Sequence, residues 1–117
     1  MEPNALPLKY VACTPCWRRE AGAAGKDTRG LQRVHQFDKV EIFRYVAPET
    51  SGPALEEMTT EACAVLDLLH LPYRIVKLAA GDIAFGAAIT YDVEVWSPGV
   101  GKWLEVSSAS NLSLIHI

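Results

Sequence analysis

Residues 18–41 constrain this chain more than any other stretch. Arg18-Arg-Glu20 is followed by Ala21-Gly-Ala-Ala-Gly-Lys-Asp-Thr-Arg-Gly30, and then by Arg33-Val-His-Gln-Phe37-Asp-Lys-Val-Glu41. The middle segment has three glycines, two basic residues and no large apolar side chain, which predicts a loop longer than an ordinary hairpin turn. The flanks read as strands. Strand side chains alternate faces, so Arg18 and Glu20 share one face, and Arg33, Phe37 and Glu41 share another. A hairpin would merge the two sets into a surface of two guanidinium forks, one aromatic plate and two carboxylates. Guanidinium forks match phosphate oxygens bidentately and an aromatic ring stacks on a base, so a nucleotide suits this surface.

The rest of the chain predicts an α+β fold. Residues 8–17 read as a strand that Pro15 confines to a sheet edge or interrupts. Residues 31–46 read as a long strand whose even positions Val34, Val40 and Ile42 pack on a core. Ser51, Pro53 and Glu56 mark a helix start. Leu55, Met58, Ala62, Val65, Leu66 and Leu69 then recur at helical spacing, and Pro72 stops the helix. Strands are expected near 73–78, 90–96 and 102–107, with a turn at Ser97-Pro-Gly-Val-Gly101. The expected architecture is a mainly antiparallel sheet with a helix packed on one face.

Composition narrows the classes further. The length of 117 residues suits one domain with a modest core, and the net charge of −3 gives no global attraction for nucleic acid. No apolar stretch is long enough to span a bilayer, and no signal peptide is visible. Cys13 and Cys16 form a lone Cys-x-x-Cys, and His35, His70 and His116 are scattered, which argues against a zinc site. Reduced thiols in a cytoplasmic protein are expected. Ser107 and Ser108 lack a His–Asp arrangement, which leaves a serine hydrolase unsupported.

The Arg-x-Glu, loop, Arg-x-x-x-Phe spacing resembles motif 2 of class II aminoacyl-tRNA synthetases. The full string from Thr14 to Glu41 is similar to the seryl-tRNA synthetase family. Leu71-Pro-Tyr-Arg, Gly81-Asp, Thr90-Tyr-Asp-Val-Glu-Val-Trp96 and Glu105-Val-Ser-Ser-Ala-Ser-Asn111 follow in that family's order. The resemblance covers roughly residues 6–111. It implies a partial class II catalytic domain over 1–111 and serine–tRNA ligase chemistry: ATP activates L-serine to seryl-adenylate, and the seryl group passes to tRNA(Ser). It also implies magnesium with ATP, a homodimer for the full-length enzyme, and no membrane. A threonyl- or prolyl-type enzyme is disfavoured by Val34-His-Gln-Phe-Asp-Lys-Val-Glu41 and by Tyr91-Asp-Val-Glu-Val-Trp96.

Residue by residue, the resemblance makes Arg18 the catalytic grip on the α-phosphate and Glu20 the acceptor of the adenine amino group. Phe37 becomes the ring that stacks on adenine, and Glu41 the carboxylate that binds the ammonium of serine. Arg19, Arg33, Val34, Val106 and Ser107 join the ATP-binding set, with Arg33 reaching the outer phosphates. Lys26 and Arg29 are loop candidates for phosphate or the tRNA acceptor end. Glu105 and Ser108 match Glu-x-x-Ser, which holds the ribose side of ATP and a bridging magnesium. Their numbers differ in parity, so a bulge or strand end near Ser107 is required to bring them to one face. Asp92 and Glu94 read as structural or solvated.

The ends depart from the family's pattern. Met1 falls where the family's chain is already inside its catalytic domain and reads as an internal methionine. Leu112-Ser-Leu-Ile-His-Ile117 replaces a charged continuation and reads as a non-family tail, either read-through at the end of an assembled fragment or a frameshift. Motif 1, motif 3 and the tRNA-reading arm are not represented, so the chain alone is expected to be inactive. The alternative reading is a catalytically dead binding or regulatory module derived from the synthetase fold.

Overall fold

The computed structural model describes residues 2–19 and 33–112, which form two compact units. The first is a hairpin of β1 (Leu8–Trp17) and β2 (Gln36–Tyr45). The strands pair antiparallel without a register shift, from Leu8 opposite Tyr45 to Trp17 opposite Gln36. Pro15 sits within β1, opposite Asp38. With one neighbouring strand, β1 has an edge on which a residue without an N–H is tolerated.

The observed β2 is shorter than the expected 31–46 strand: Arg33 lies in a bend before it. Val40, expected in a core, is 67% exposed, and Val11 and Trp17 on the same face are exposed too. Cys13 and Cys16 have odd separation on a regular strand, so they face opposite sides and cannot close on one ligand.

The second unit is a helix on a three-stranded antiparallel sheet: α1 (Ser51–Leu68), β3 (Tyr73–Lys77), β4 (Ile89–Ser97) and β5 (Lys102–Asn111), in the order β3-β4-β5. The helix follows a 3-10 turn over Pro48–Thr50. The buried stripe is Leu55, Thr59, Cys63 and Leu66, whereas the expected Val65 and Leu69 are exposed. Thr59 can be buried because its hydroxyl donates to the Leu55 carbonyl at 2.8 Å. The helix ends before Pro72. His70 adopts a left-handed φ of 55°, its N–H bonds to Asp67 O, and the Leu71 N–H bonds to Leu66 O. That pair of bonds is a Schellman closure with histidine where glycine is usual.

Cys63 and Leu66 pack on Val93, which is 1% exposed, with Tyr73 and Val95 beside them. Polar ties fix both ends of α1. Asn111 Nδ2 donates to Ser51 Oγ at 3.0 Å, and the Tyr73 hydroxyl donates to Asp67 Oδ2 at 3.3 Å. The helix covers the sheet face that carries Val93 and Val95. The other face carries Asp92 and Glu94. The turn from β4 to β5 closes through Gly101, whose φ of 65° suits glycine, with its N–H on Ser97 O at 2.8 Å. None of the described helices is long and apolar enough to cross a membrane.

Candidate functional site

Hairpin register places Arg18 and Phe37 together. Even-numbered residues of β1 oppose odd-numbered residues of β2, so Cys16, Phe37, Lys39 and Glu41 share one face. Arg18 follows the last residue of β1 and extends the ladder by one step. Its N–H donates to His35 O at 2.8 Å, and His35 Nδ1 lies 3.0 Å from Arg18 O. A carbonyl only accepts, so that ring nitrogen carries the proton. The Arg18 guanidinium lies 4.9 Å from the centre of the Phe37 ring, and Lys39 Nζ lies 5.8 Å from it. The hairpin therefore brings Arg18 and Phe37 together. Phe37 is half-buried, while Glu41 is exposed, opposite Ala12.

Arg33 precedes β2 in a bend, so strand alternation does not put it on the Phe37–Glu41 face. Val34 is half-buried and Arg19 is exposed. Glu20, Lys26 and Arg29 lie outside the described residues.

On the sheet, the register of β4 and β5 resolves the parity of Glu105 and Ser108. Val93 opposes Ser107 and Glu94 opposes Glu105, which leaves Val106 as an inserted residue. Asp92 and Glu94 share one face of β4, and their partners are Ser108 and Glu105. Glu105 and Ser108 therefore share the face away from the helix. Ser107 opposes buried Val93, so its side chain belongs to the helix side, while Val106, the bulge itself, is exposed.

The same face carries more than the sequence signalled. Ser108 Oγ donates to Asp92 Oδ1 at 2.7 Å. Arg74 Nε donates to Glu94 Oε1 at 2.6 Å, and the Arg74 guanidinium lies 4.5 Å from the Trp103 ring centre. Asp92 and Glu94 are thus both partnered, Asp92 by Ser108 and Glu94 by Arg74. A histidine without ligand spacing and a lone strand aspartate carry no motif; only strand register reveals that His35 neighbours Arg18 and that Asp92 neighbours Ser108.

Three groups titrate away from their ordinary values, all between helix and sheet. A hydrogen bond to Glu56, then burial, raises Tyr91 above 10.0. Burial first, then the bond to Asp67, raises Tyr73 above 10.0. Burial first, then the Asp67 charge, raises Cys63 above 9.0.

The helix-backed antiparallel sheet and the hairpin are parts of a class II tRNA synthetase core. The profile of the tRNA synthetase class II core domain (G, H, P, S and T) matches residues 1–115, and the chain belongs to that family. Among its relatives are serine–tRNA ligases. That of Petrotoga mobilis is 61% identical over 111 residues, 95% of this chain and 26% of the relative. That of Methylacidiphilum infernorum is 62% identical, covering 93% of this chain and 26% of the relative. The crystal structure of seryl-tRNA synthetase from Pyrococcus horikoshii complexed with ATP superposes with a TM-score of 0.91 at 49% identity, over 97% of this chain and 25% of that one. The cytoplasmic serine–tRNA ligase of Naegleria fowleri in complex with AMP gives a TM-score of 0.87 at 36% identity, over 94% of this chain and 24% of that one. The chain thus spans about a quarter of the length of the relatives it matches.

Proposed function

We propose that this chain supplies the motif 2 part of a serine–tRNA ligase, which activates L-serine with ATP and passes the seryl group to tRNA(Ser). The observation that carries the reading is the Arg18–Phe37 pair at 4.9 Å on the hairpin face that also bears Glu41. Support comes from relatives named as serine–tRNA ligases and from structural neighbours bound to ATP and to AMP.

In this reading Phe37 stacks on adenine and Arg18 grips the α-phosphate. An oxygen of the serine carboxylate attacks the α-phosphorus, the bond to the bridging oxygen breaks, and pyrophosphate leaves. Arg18 stabilises the charge on the equatorial oxygens with a fork that does not have to reorganise. Glu41 takes the ammonium of serine, since an ionised acceptor on a fixed strand provides charge and orientation together. The adenylate then acylates the terminal ribose of the tRNA and AMP departs. No covalent enzyme intermediate is involved; positioning and charge neutralisation carry the rate. Arg19, Glu20, Arg33, Val34, Val106 and Ser107 complete the proposed ATP contacts, and the whole enzyme acts as a homodimer in the cytoplasm.

Magnesium fits the sheet face in one way. Among the described residues no group of three or more His, Cys, Asp or Glu side chains could hold a metal ion. The bulge nevertheless aligns one carboxylate, Glu105, with one hydroxyl, Ser108. Two hard oxygens suit a magnesium that keeps its other positions for water and phosphate. When bound, the ion neutralises phosphate charge; Glu105 and Ser108 would be its protein ligands.

The division of labour on the hairpin tests the reading in a full-length ligase carrying this segment. Phe37→Ala should weaken ATP binding by about 1–3 kcal/mol and leave the KM for serine nearly unchanged. Glu41→Gln should do the reverse. If both variants lose ATP binding alone, the serine role of Glu41 is wrong.

A further inference from the structure

We propose that Asp92 is a positioning residue for Ser108, fixing its hydroxyl as an acceptor-only ligand for the nucleotide's divalent cation. The proposal rests on the ligase reading above, and it concerns a residue that the sequence motifs leave without a role.

A serine hydroxyl has one proton and two lone pairs, and it serves a cation only through a lone pair. A free hydroxyl rotates among several acceptors. Here its proton is committed: Ser108 Oγ donates to Asp92 Oδ1 at 2.7 Å across directly opposed positions of β4 and β5. A carboxylate accepts and does not donate, so the sense of the bond is fixed. The next hydroxyl pair on this face, Thr90 with Ser110 at 2.8 Å, has no such constraint, because either oxygen can donate.

Backbone geometry makes the arrangement necessary. Glu105 and Ser108 share a face only because Val106 is inserted opposite the Val93–Glu94 step. A bulge locally loosens the ladder and strengthens the twist. Asp92 ties Ser108 back to the regular strand on the far side of that bulge. The adjacent carboxylate, Glu94, is held by Arg74 at 2.6 Å, and Arg74 lies over Trp103. Glu94 and Asp92 thus have distinct partners, and Asp92 serves the hydroxyl. Partners that orient a metal ligand and increase its basicity typically matter 10–100-fold to metal affinity; for a single neutral hydroxyl the lower end applies.

The test uses a full-length serine–tRNA ligase with this segment in place of its own. The readout is Mn²⁺ affinity measured by electron paramagnetic resonance, with a non-hydrolysable ATP analogue bound. Asp92→Ala should weaken Mn²⁺ binding about tenfold and leave metal-free analogue binding unchanged. Asp92→Asn, which keeps an acceptor oxygen, should recover most of that loss. In a Ser108→Ala background Asp92→Ala should add less than about twofold, since a residue acting through Ser108 has nothing left to position. Should the alanine variant fail to fold, Asp92→Val fills the space without an acceptor and carries the same expectation. Mn²⁺ affinity unchanged in Asp92→Ala overturns the proposal. So does an asparagine variant as weak as alanine, which would make the effect charge alone, and so does a loss that persists in full without Ser108. A wild-type chimera that fails to bind the ATP analogue at all would sink the ligase reading itself, and this proposal with it.

Discussion

Replacing Arg18 by lysine keeps a positive charge in place and removes only the planar fork, which makes it the sharpest probe of the hairpin. The main chain at Arg18 should be undisturbed, because His35 holds it through the bonds of 2.8 and 3.0 Å to its N–H and carbonyl. Phe37 also keeps a cation on its ring from Lys39 at 5.8 Å. In the proposed grip on the α-phosphate, what disappears is one of two parallel charge-assisted bonds, worth about 1.5–3 kcal/mol. The guanidinium contact to the Phe37 ring adds about 0.5–1 kcal/mol. The sum is about 2–4 kcal/mol, so serine-dependent ATP–pyrophosphate exchange by the full-length ligase should fall about 30- to 900-fold, mostly in kcat. Phe37 stacking should survive, so ATP affinity changes less than turnover. Near-normal exchange by the lysine variant would refute the phosphate-clamp assignment, and a loss confined to the KM for ATP would show that Arg18 binds ground state and transition state alike.

Three further outcomes follow from the geometry. His35→Ala removes the ring bond to the Arg18 carbonyl and should lower exchange about fivefold, with His35→Asn restoring part of it through a side-chain amide; an unchanged rate in the alanine variant would show that the backbone bond alone is enough. Val93→Ala empties the most buried large side chain between α1 and the sheet and should cost about 2 kcal/mol in denaturant unfolding, with no loss indicating that the core closes over the gap. Tyr91, Tyr73 and Cys63 all have folded values raised above their ordinary 10.0, 10.0 and 9.0, so folding favours their protonated forms. Their contribution is complete below the ordinary values and is lost as pH rises through the raised ones; melting from about pH 8 to about pH 11 should show stability falling above about pH 9, with tyrosinate absorbance at 295 nm delayed relative to the unfolded chain.

Much of this was legible in the sequence, and the exceptions have physical reasons. The α1, β3, β4 and turn positions follow from apolar spacing, proline and glycine. Arg18 and Phe37 meet, and Glu41 shares the face of Phe37, because antiparallel register preserves face identity along the hairpin. The helix face was misjudged at Val65 and Leu69, since periodicity counts apolar side chains and cannot see that Thr59 is buried by bonding to its own helix or that Cys63 fills the remaining space. Arg33 reads as a strand residue because nothing in Arg33-Val-His announces that pairing begins only at Gln36. The parity of Glu105 and Ser108 demanded an irregularity, but its position at Val106 follows from the partner strand, which one sequence segment cannot encode by itself. The same holds for the pairing of Asp92 with Ser108, sixteen positions away.

Serine-dependent ATP–pyrophosphate exchange measures the central claim most directly. The segment matching this chain in the Petrotoga mobilis serine–tRNA ligase, to which it is 61% identical, would be replaced by this sequence. The chimera should support exchange that requires serine, is not supported by threonine, and disappears in its Arg18→Ala version. A folded chimera that binds ATP yet forms no seryl-adenylate would contradict it and favour a binding module that has lost the chemistry of the synthetase fold.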